Sequence, residues 1–319
     1  MPGIDAAKPS ETGIVRKGAF GRNSLYGVGL LLSIICLYFF AHRAADVWKG
    51  IDFAAAISAP AMLVAIFTLL ISYAMAAFVW RSLVEVQGAN ISPRSAVAIL
   101  LTTQLGKYLP GNIGQHIGRV ALAKFHNVPV RVSAAAMMTE MALVMGFMMI
   151  LGFPALLGYM SSVVNYATFG LVALALAGGA CWIFAPKLRS LGLPLAQYLS
   201  GKHAIKRLSL ALILALSCAL TYSCVILPLH EDFMGDLHAT LYVVSIFCGA
   251  WVAGFVTPGA PAGLGIREWI LSEGMAPLIG PESATIVALL LRVVTTIADL
   301  MAFGIGTMML STQARRKLG

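Results

Sequence analysis

Six ionisable side chains stand within stretches apolar enough to sit in lipid, and they set the possible chemistry. Glu140 is the only charge between Arg131 and Lys187. On a helix it would lie roughly 13 Å beyond Arg131. A charge at that depth costs at least about 2.5 kcal/mol and is kept where it faces a partner or a watery cavity. Glu140 therefore reads as a proton-coupled carboxylate or a ligand for a cationic head group. The competing reading is a structural ion pair with Arg292 or Arg267. Arg292 and Asp299 are seven residues apart, which puts them on one helix face two turns apart. A guanidinium matches a phosphate with two parallel N–H donors, so Arg119, Arg267 and Arg292 are the candidates for an anionic lipid head. Glu140, Asp299 and Glu268 would balance charge or relay protons. Alternatively, Arg267 and Glu268 cap their own hairpin while Arg292 pairs with Asp299.

Two broken segments must position these groups. Residues 96–125 contain PGNIGQHIGR from Pro110 to Arg119, and residues 239–275 contain PGAPAGLGIR from Pro258 to Arg267. Each has Pro-Gly at its start, Arg nine residues after the proline, an apolar stretch before and a helical-looking stretch after. In lipid every backbone polar group needs a partner, so such breaks survive only inside protein or beside a watery cavity. Paired Gly/Pro interruptions in two halves of a chain point to a transporter's central site. Gly111, Gly114, Gly118, Gly259, Gly263 and Gly265 would permit unusual dihedrals and close approach. Pro110, Pro258 and Pro261 would end helices and leave carbonyls free. Plain hairpin packing is the alternative reading of both sets.

The composition requires a membrane. Of 319 residues, 59% are hydrophobic and 11% charged, with a mean hydropathy of +0.87. A soluble domain carries about 25% charged residues, so a soluble enzyme, a disordered chain and a secreted disulfide scaffold are excluded. Cys36, Cys181, Cys218, Cys224 and Cys248 all lie in apolar runs without a C-x-x-C pair and read as small buried hydrophobes. Uncharged runs predict spans at Ser24–Ala41, Phe53–Trp80, two helices from about Val132 to Pro186 broken near Gly158–Asn165, Leu208–Leu229, and Ser283–Leu310. The fold class is an all-α integral membrane protein with about six full transmembrane helices and two opposed re-entrant helical hairpins in an inverted repeat. Eight transmembrane helices is the alternative.

Loop charge orients this arrangement. With a cytoplasmic tail over 1–22, a single membrane domain over 23–311 and a basic cytoplasmic C-terminus over 312–319, the stretches 1–23, 81–131, 186–207 and 312–319 hold 18 of the 22 basic residues. That asymmetry follows the positive-inside rule, and both termini are expected in the cytoplasm. Gln115–Asn127 reads as an amphipathic interfacial stretch, with Ile117 and Phe125 towards apolar surroundings and Arg119, Lys124 and His126 towards head groups. The connection His230–His238 matches no zinc spacing and reads as a solvated acidic loop.

KYLPGNIGQHIGRVALAKFHNVP, followed by a helix with Glu140, resembles the first signature of the flippase-like membrane region of lysylphosphatidylglycerol synthases. FVTPGAPAGLGIREWIL, with Arg292 in the last helix, resembles the second. The resemblance spans roughly residues 20–310. It implies opposed re-entrant elements and a role in moving or handling lipids such as aminoacylated phospholipids, hopanoids or polyprenyl-linked sugars. Full-length synthases carry a soluble aminoacyl-transferase domain after the membrane region. None follows here, so synthase activity is not expected.

No P-loop, G-x-S-x-G or H-E-x-x-H motif is present, and neither an enzyme nor a cofactor is expected. The expected function is a flippase-like lipid transporter of a bacterial inner membrane. Its substrate would be an anionic phospholipid or a polyprenyl-phosphate-linked lipid. The alternative is a non-transporting accessory subunit that presents a lipid-linked substrate to a separate glycosyltransferase or aminoacyltransferase. No nucleic-acid partner is expected.

Overall fold

The computed structural model describes residues 59–109, 114–157, 237–257 and 260–318, together with Tyr38, Ala41, His42, Ser209 and 212–214. All regular structure among them is helical. α1 (Ala59–Val86) is apolar up to Arg81 but does not stop there. The Arg81 Nε donates to the Ile91 carbonyl at 2.9 Å and the side chain pairs with Glu85, so the charge is satisfied at the helix end and the helix continues. α2 (Pro93–Thr103) starts where Ser92 Oγ accepts from the Ser95 amide and Pro93 sets the first helical φ. It tightens into a 3-10 turn over Gln104–Tyr108. After the first break come α3 (Gly114–Lys124) and α4 (Val130–Leu157). Asn127, at φ 61°, turns the chain between them.

The second half follows the same order. α5 (Leu237–Val256) leads to a 3-10 turn at Pro261–Gly263, then α6 (Ile266–Ile279) and α7 (Pro281–Leu318). Ala262, Gly263 and Gly265 have φ of 52°, 71° and 84°. At Gly265 the left-handed backbone lets its amide point at the first turn of α6, where the Glu268 carboxylate accepts it at 2.7 Å.

Four helices among the described residues are long and apolar enough to cross a membrane: Pro60–Val86, Val130–Gly152, Ala239–Val256 and Pro281–Gln313. α2, with 11 residues, spans only about 16 Å and is too short to cross. α5, expected as one arm of a hairpin, is by contrast long enough to cross alone. The expected spans at Ser24–Ala41 and Leu208–Leu229, the break near Gly158–Asn165 and the acidic loop fall largely or wholly outside the described residues.

α7 serves as a ruler for both breaks. Near its Gln313 end it meets the start of α2, where Ser95 Oγ donates to Gln313 Oε1 at 3.1 Å. Asp299, 14 residues or about 21 Å back from Gln313, meets the first break. Arg292, 11 residues or about 16 Å from Pro281, meets the second through the Ala262 carbonyl. The broken segments thus reach the middle of α7 from opposite ends, and their 3-10 turns touch.

Small residues bring backbones together at the crossings. A Cβ on Gly306 of α7 would meet the Thr102 amide of α2, its Oγ1 at 2.6 Å and the Ala98 carbonyl at 2.9 Å. Gly304, on another face, has nothing within 4 Å. Gly306→Ala is expected to cost about 1–3 kcal/mol through overpacking. Gly304→Ala should be neutral or stabilise by up to about 1 kcal/mol, since alanine orders more readily in a helix. Thermal melting of the purified protein in one detergent checks this; equal shifts for both would refute the tight α2–α7 contact.

Candidate functional site

Where the two breaks meet, a cavity of about 200 Å³ opens. Its walls come from α1, both breaks, α3, α4, α5, α6 and α7. Tyr73, Glu140, Phe247 and Asp299 all line it, and each lies within two residues of the middle of its apolar span. The cavity thus takes part of its lining from the middle of all four apolar helices. Four cations line it, Lys107, Arg119, Arg267 and Arg292, against two carboxylates, Glu140 and Asp299, among the described residues.

Each carboxylate is held by a specific set of donors. Asp299 has no exposed surface. Its Oδ1 accepts from Tyr73 Oη at 2.6 Å and Lys107 Nζ at 2.7 Å, and its Oδ2 accepts from Tyr108 Oη at 2.7 Å. Glu140 pairs with Arg119 Nη1 at 2.5 Å, and both residues are 6% exposed. The Arg119 guanidinium also lies 5.8 Å from the centre of the Trp80 ring, a cation–π contact. Its Nε is buried without a hydrogen-bond partner. Glu268 caps α6 and pairs with Arg292 Nη1 at 3.2 Å, and Arg292 lies 5.5 Å from the Tyr108 ring centre.

These pairings differ from the expected ones. Glu140 pairs with Arg119, not with Arg292 or Arg267, because α3 lies against α4 and brings Arg119 to the same level. Arg292 pairs with Glu268 and not with Asp299. Seven residues separate the two along the axis by about 10.5 Å, and each side chain reaches a different broken segment instead. Arg119 faces inwards and is not on an interfacial polar face, while Ile117 and Phe125 beside it in sequence are 64% and 79% exposed. Arg267 lines the cavity 5.4 Å from the Phe247 ring centre.

Among the backbone candidates, Gly114 is needed for close approach: a Cβ there would meet the Gly106 carbonyl at 2.5 Å and Leu109 at 2.6 Å. A Cβ on Gly118 would lie 3.1 Å from Thr103 Cγ2. Gly263 lies against Gly254, Gly265 gives α6 its cap, and Pro261 opens the 3-10 turn. Pro110, Gly111, Pro258 and Gly259 lie outside the described residues.

Sequence reasoning misses three residues of the site: Tyr73, Lys107 and Tyr108. The available signal is the position of Lys107, a charge in an apolar broken segment, three residues before Pro110. Loop-charge arithmetic instead assigns it to the cytoplasm. His116 also lines the cavity, with its Nδ1 3.1 Å from Met137 Sδ. Among the described residues no group of three or more His, Cys, Asp or Glu side chains could hold a metal ion.

The chain matches the family described as lysylphosphatidylglycerol synthase TM region over residues 27–302 and belongs to that family. No curated protein and no solved structure matches it. The family connects the chain to membrane lipids.

Removing one partner of a buried pair leaves the other charge uncompensated, at about 3–5 kcal/mol. Lys107→Met and Asp299→Leu should each destabilise the protein by that order. The double variant should lose clearly less than the two singles combined. Thermal or denaturant unfolding in detergent measures the cycle, and strict additivity would mean that the pair is not coupled.

Proposed function

We propose that this member of the lysylphosphatidylglycerol synthase TM-region family is a flippase-like handler of anionic membrane lipids. The observation that carries the reading is the cavity between the two breaks, lined by Lys107, Arg119, Arg267 and Arg292. An anionic phospholipid or polyprenyl-phosphate-linked head would enter between the broken segments, with its hydrocarbon left in the bilayer. Arg119, Arg267 and Arg292 would hold it, because guanidinium forks suit phosphate oxygens. Glu140, Asp299 and Glu268 would keep the cations at fixed positions, with Lys107 held at Asp299.

The proposed topology has six crossings, two hairpins entering from opposite faces, and both termini in the cytoplasm of a bacterial inner membrane. Two things support it: the short α2, and the arrival of the breaks at mid-α7 from opposite ends. Sites near the centre of opposed, interrupted repeats are where alternating access operates in transporters. No ATP-hydrolysing motif is present, so the reading draws on a gradient, a partner or the lipid's own imbalance, and it assigns the chain no enzymatic step.

The test is reconstitution of purified protein into vesicles holding a fluorescent phosphatidylglycerol, with dithionite quenching of the outer leaflet. Wild type should expose inner-leaflet probe at least about tenfold faster than protein-free vesicles. Arg267→Gln should lose most of that rate while keeping its melting temperature within a few degrees. Rates no higher than in empty vesicles would reject autonomous transport and favour an accessory subunit that presents lipid to a separate glycosyltransferase or aminoacyltransferase.

A further inference from the structure

Three cations around the cavity are matched one to one with carboxylates: Lys107 with Asp299, Arg119 with Glu140, and Arg292 with Glu268. An anionic head must therefore compete with a carboxylate wherever it meets one of these cations, and the pairs differ in how easily they would part. Arg292 is also held by the Ala262 carbonyl, and the Arg119 side chain is 7% exposed. Lys107 carries a compact ammonium on a flexible stem with three rotatable donors. Its side chain is 19% exposed, whereas that of Asp299 has no exposed surface, and both residues line the cavity. An oxygen anion in the cavity can reach the ammonium while the carboxylate stays sealed behind it.

One ammonium answers one negative charge. When a phosphate oxygen takes Lys107, Asp299 is left with a full charge and no cation in a buried site, a state far costlier than the neutral acid. A phosphate diester is the stronger acid of the two, so a relieving proton settles on Asp299. The neighbours of Asp299 suit either form. Tyr73 Oη lies 2.6 Å from its Oδ1 and Tyr108 Oη 2.7 Å from its Oδ2. A phenol both donates and accepts, so one of them can turn to accept from the protonated acid. Glu140 faces the Arg119 guanidinium instead, which has donors and no acceptor. Among the described residues Arg267 of α6 and Arg292 of α7 also act on the charge of Lys107, and His116, Arg119 and Glu140 line the same cavity. The part played by Asp299 is thus isolated by substitution and not by a pH profile alone.

We infer that Asp299 is a proton site coupled to the lipid head through Lys107. On binding, the anionic head takes the ammonium and one proton from water joins Asp299. On release the ammonium returns to the carboxylate and the proton leaves to water. Lipid anion and proton cross together, one for one, with no net charge moved. Such coupling is reciprocal, so the proton favours the anion by the same factor as the anion favours the proton. The inference rests on reading the cavity as a lipid site, and it names the gradient that would drive transport there.

The experiment places the full chain in phosphatidylcholine vesicles with a trace of fluorescent phosphatidylglycerol and imposes a pH gradient of about one unit. Dithionite then reports how the probe divides between the leaflets at steady state, with protein-free vesicles under the same gradient as the baseline. One-for-one coupling should enrich the probe in the leaflet on the alkaline side, by up to about tenfold per pH unit. Even division, reached faster than in protein-free vesicles, overturns the proton coupling and leaves the lipid reading intact. Movement no faster than in protein-free vesicles removes both. Asp299→Asn, whose amide keeps contacts to the phenols but takes no proton, should divide the probe evenly whatever its rate. Lys107→Gln, which removes the ammonium that changes hands, should do the same. Enrichment undiminished in either variant overturns the assignment to this pair. Should one variant be unfolded or inactive, the other decides.

Discussion

A carboxylate with no exposed surface in the middle of an apolar helix is tolerable only if its charge is answered on the spot, and Asp299 organises the first half of this protein for that reason. Its three donors come from α1 and from the first break, through Tyr73, Lys107 and Tyr108. Each donor fixes the depth and rotation of the element that carries it. The first broken segment therefore has little freedom to slide along α7. The same ammonium lies 5.4 and 5.8 Å from the Tyr73 and Tyr108 ring centres, so the phenols that complete the carboxylate also shield the cation.

Two turns away, α7 holds the second break by the opposite polarity. Arg292 donates to the Ala262 carbonyl and pairs with Glu268, which in turn caps α6. A carboxylate on α7 thus holds a cation from one broken segment, and a cation on α7 holds a carboxylate from the other. Arg119 with Glu140 makes the third tie, from α3 to α4. These ties hold two irregular backbones beside one another around the cavity.

Much of this is legible in the sequence, and what is not has identifiable causes. Hydropathy locates α1, α4 and α7, and Gly/Pro content locates both breaks, since these signals depend only on local composition. The partners of the charges are not legible. Glu140 and Arg119 are 21 residues apart and meet because α3 folds back along α4, a tertiary fact that spacing does not encode. The seven-residue interval between Arg292 and Asp299 correctly gives a common face, but the axial rise keeps them apart. Lys107 is counted with the loop charges because a rule about net loop charge cannot tell a solvated lysine from one drawn inward by a distant aspartate. The glycines at helix crossings, Gly152, Gly274 and Gly306, give no motif at all, because what they avoid is a neighbour that only the fold supplies.

Gly152 of α4 sits so close to α5 that a Cβ would lie 2.7 Å from the Gly249 amide, and this contact joins a helix of the first half to one of the second. Main chain rests on main chain there, with no side chain to compress or rotate. The spacing of α4 and α5 at this crossing is consequently one that only a residue without a side chain allows. Trimming the side chains around the cavity changes what fits inside it, whereas the approach of α4 to α5 depends on residues that have no side chain to trim.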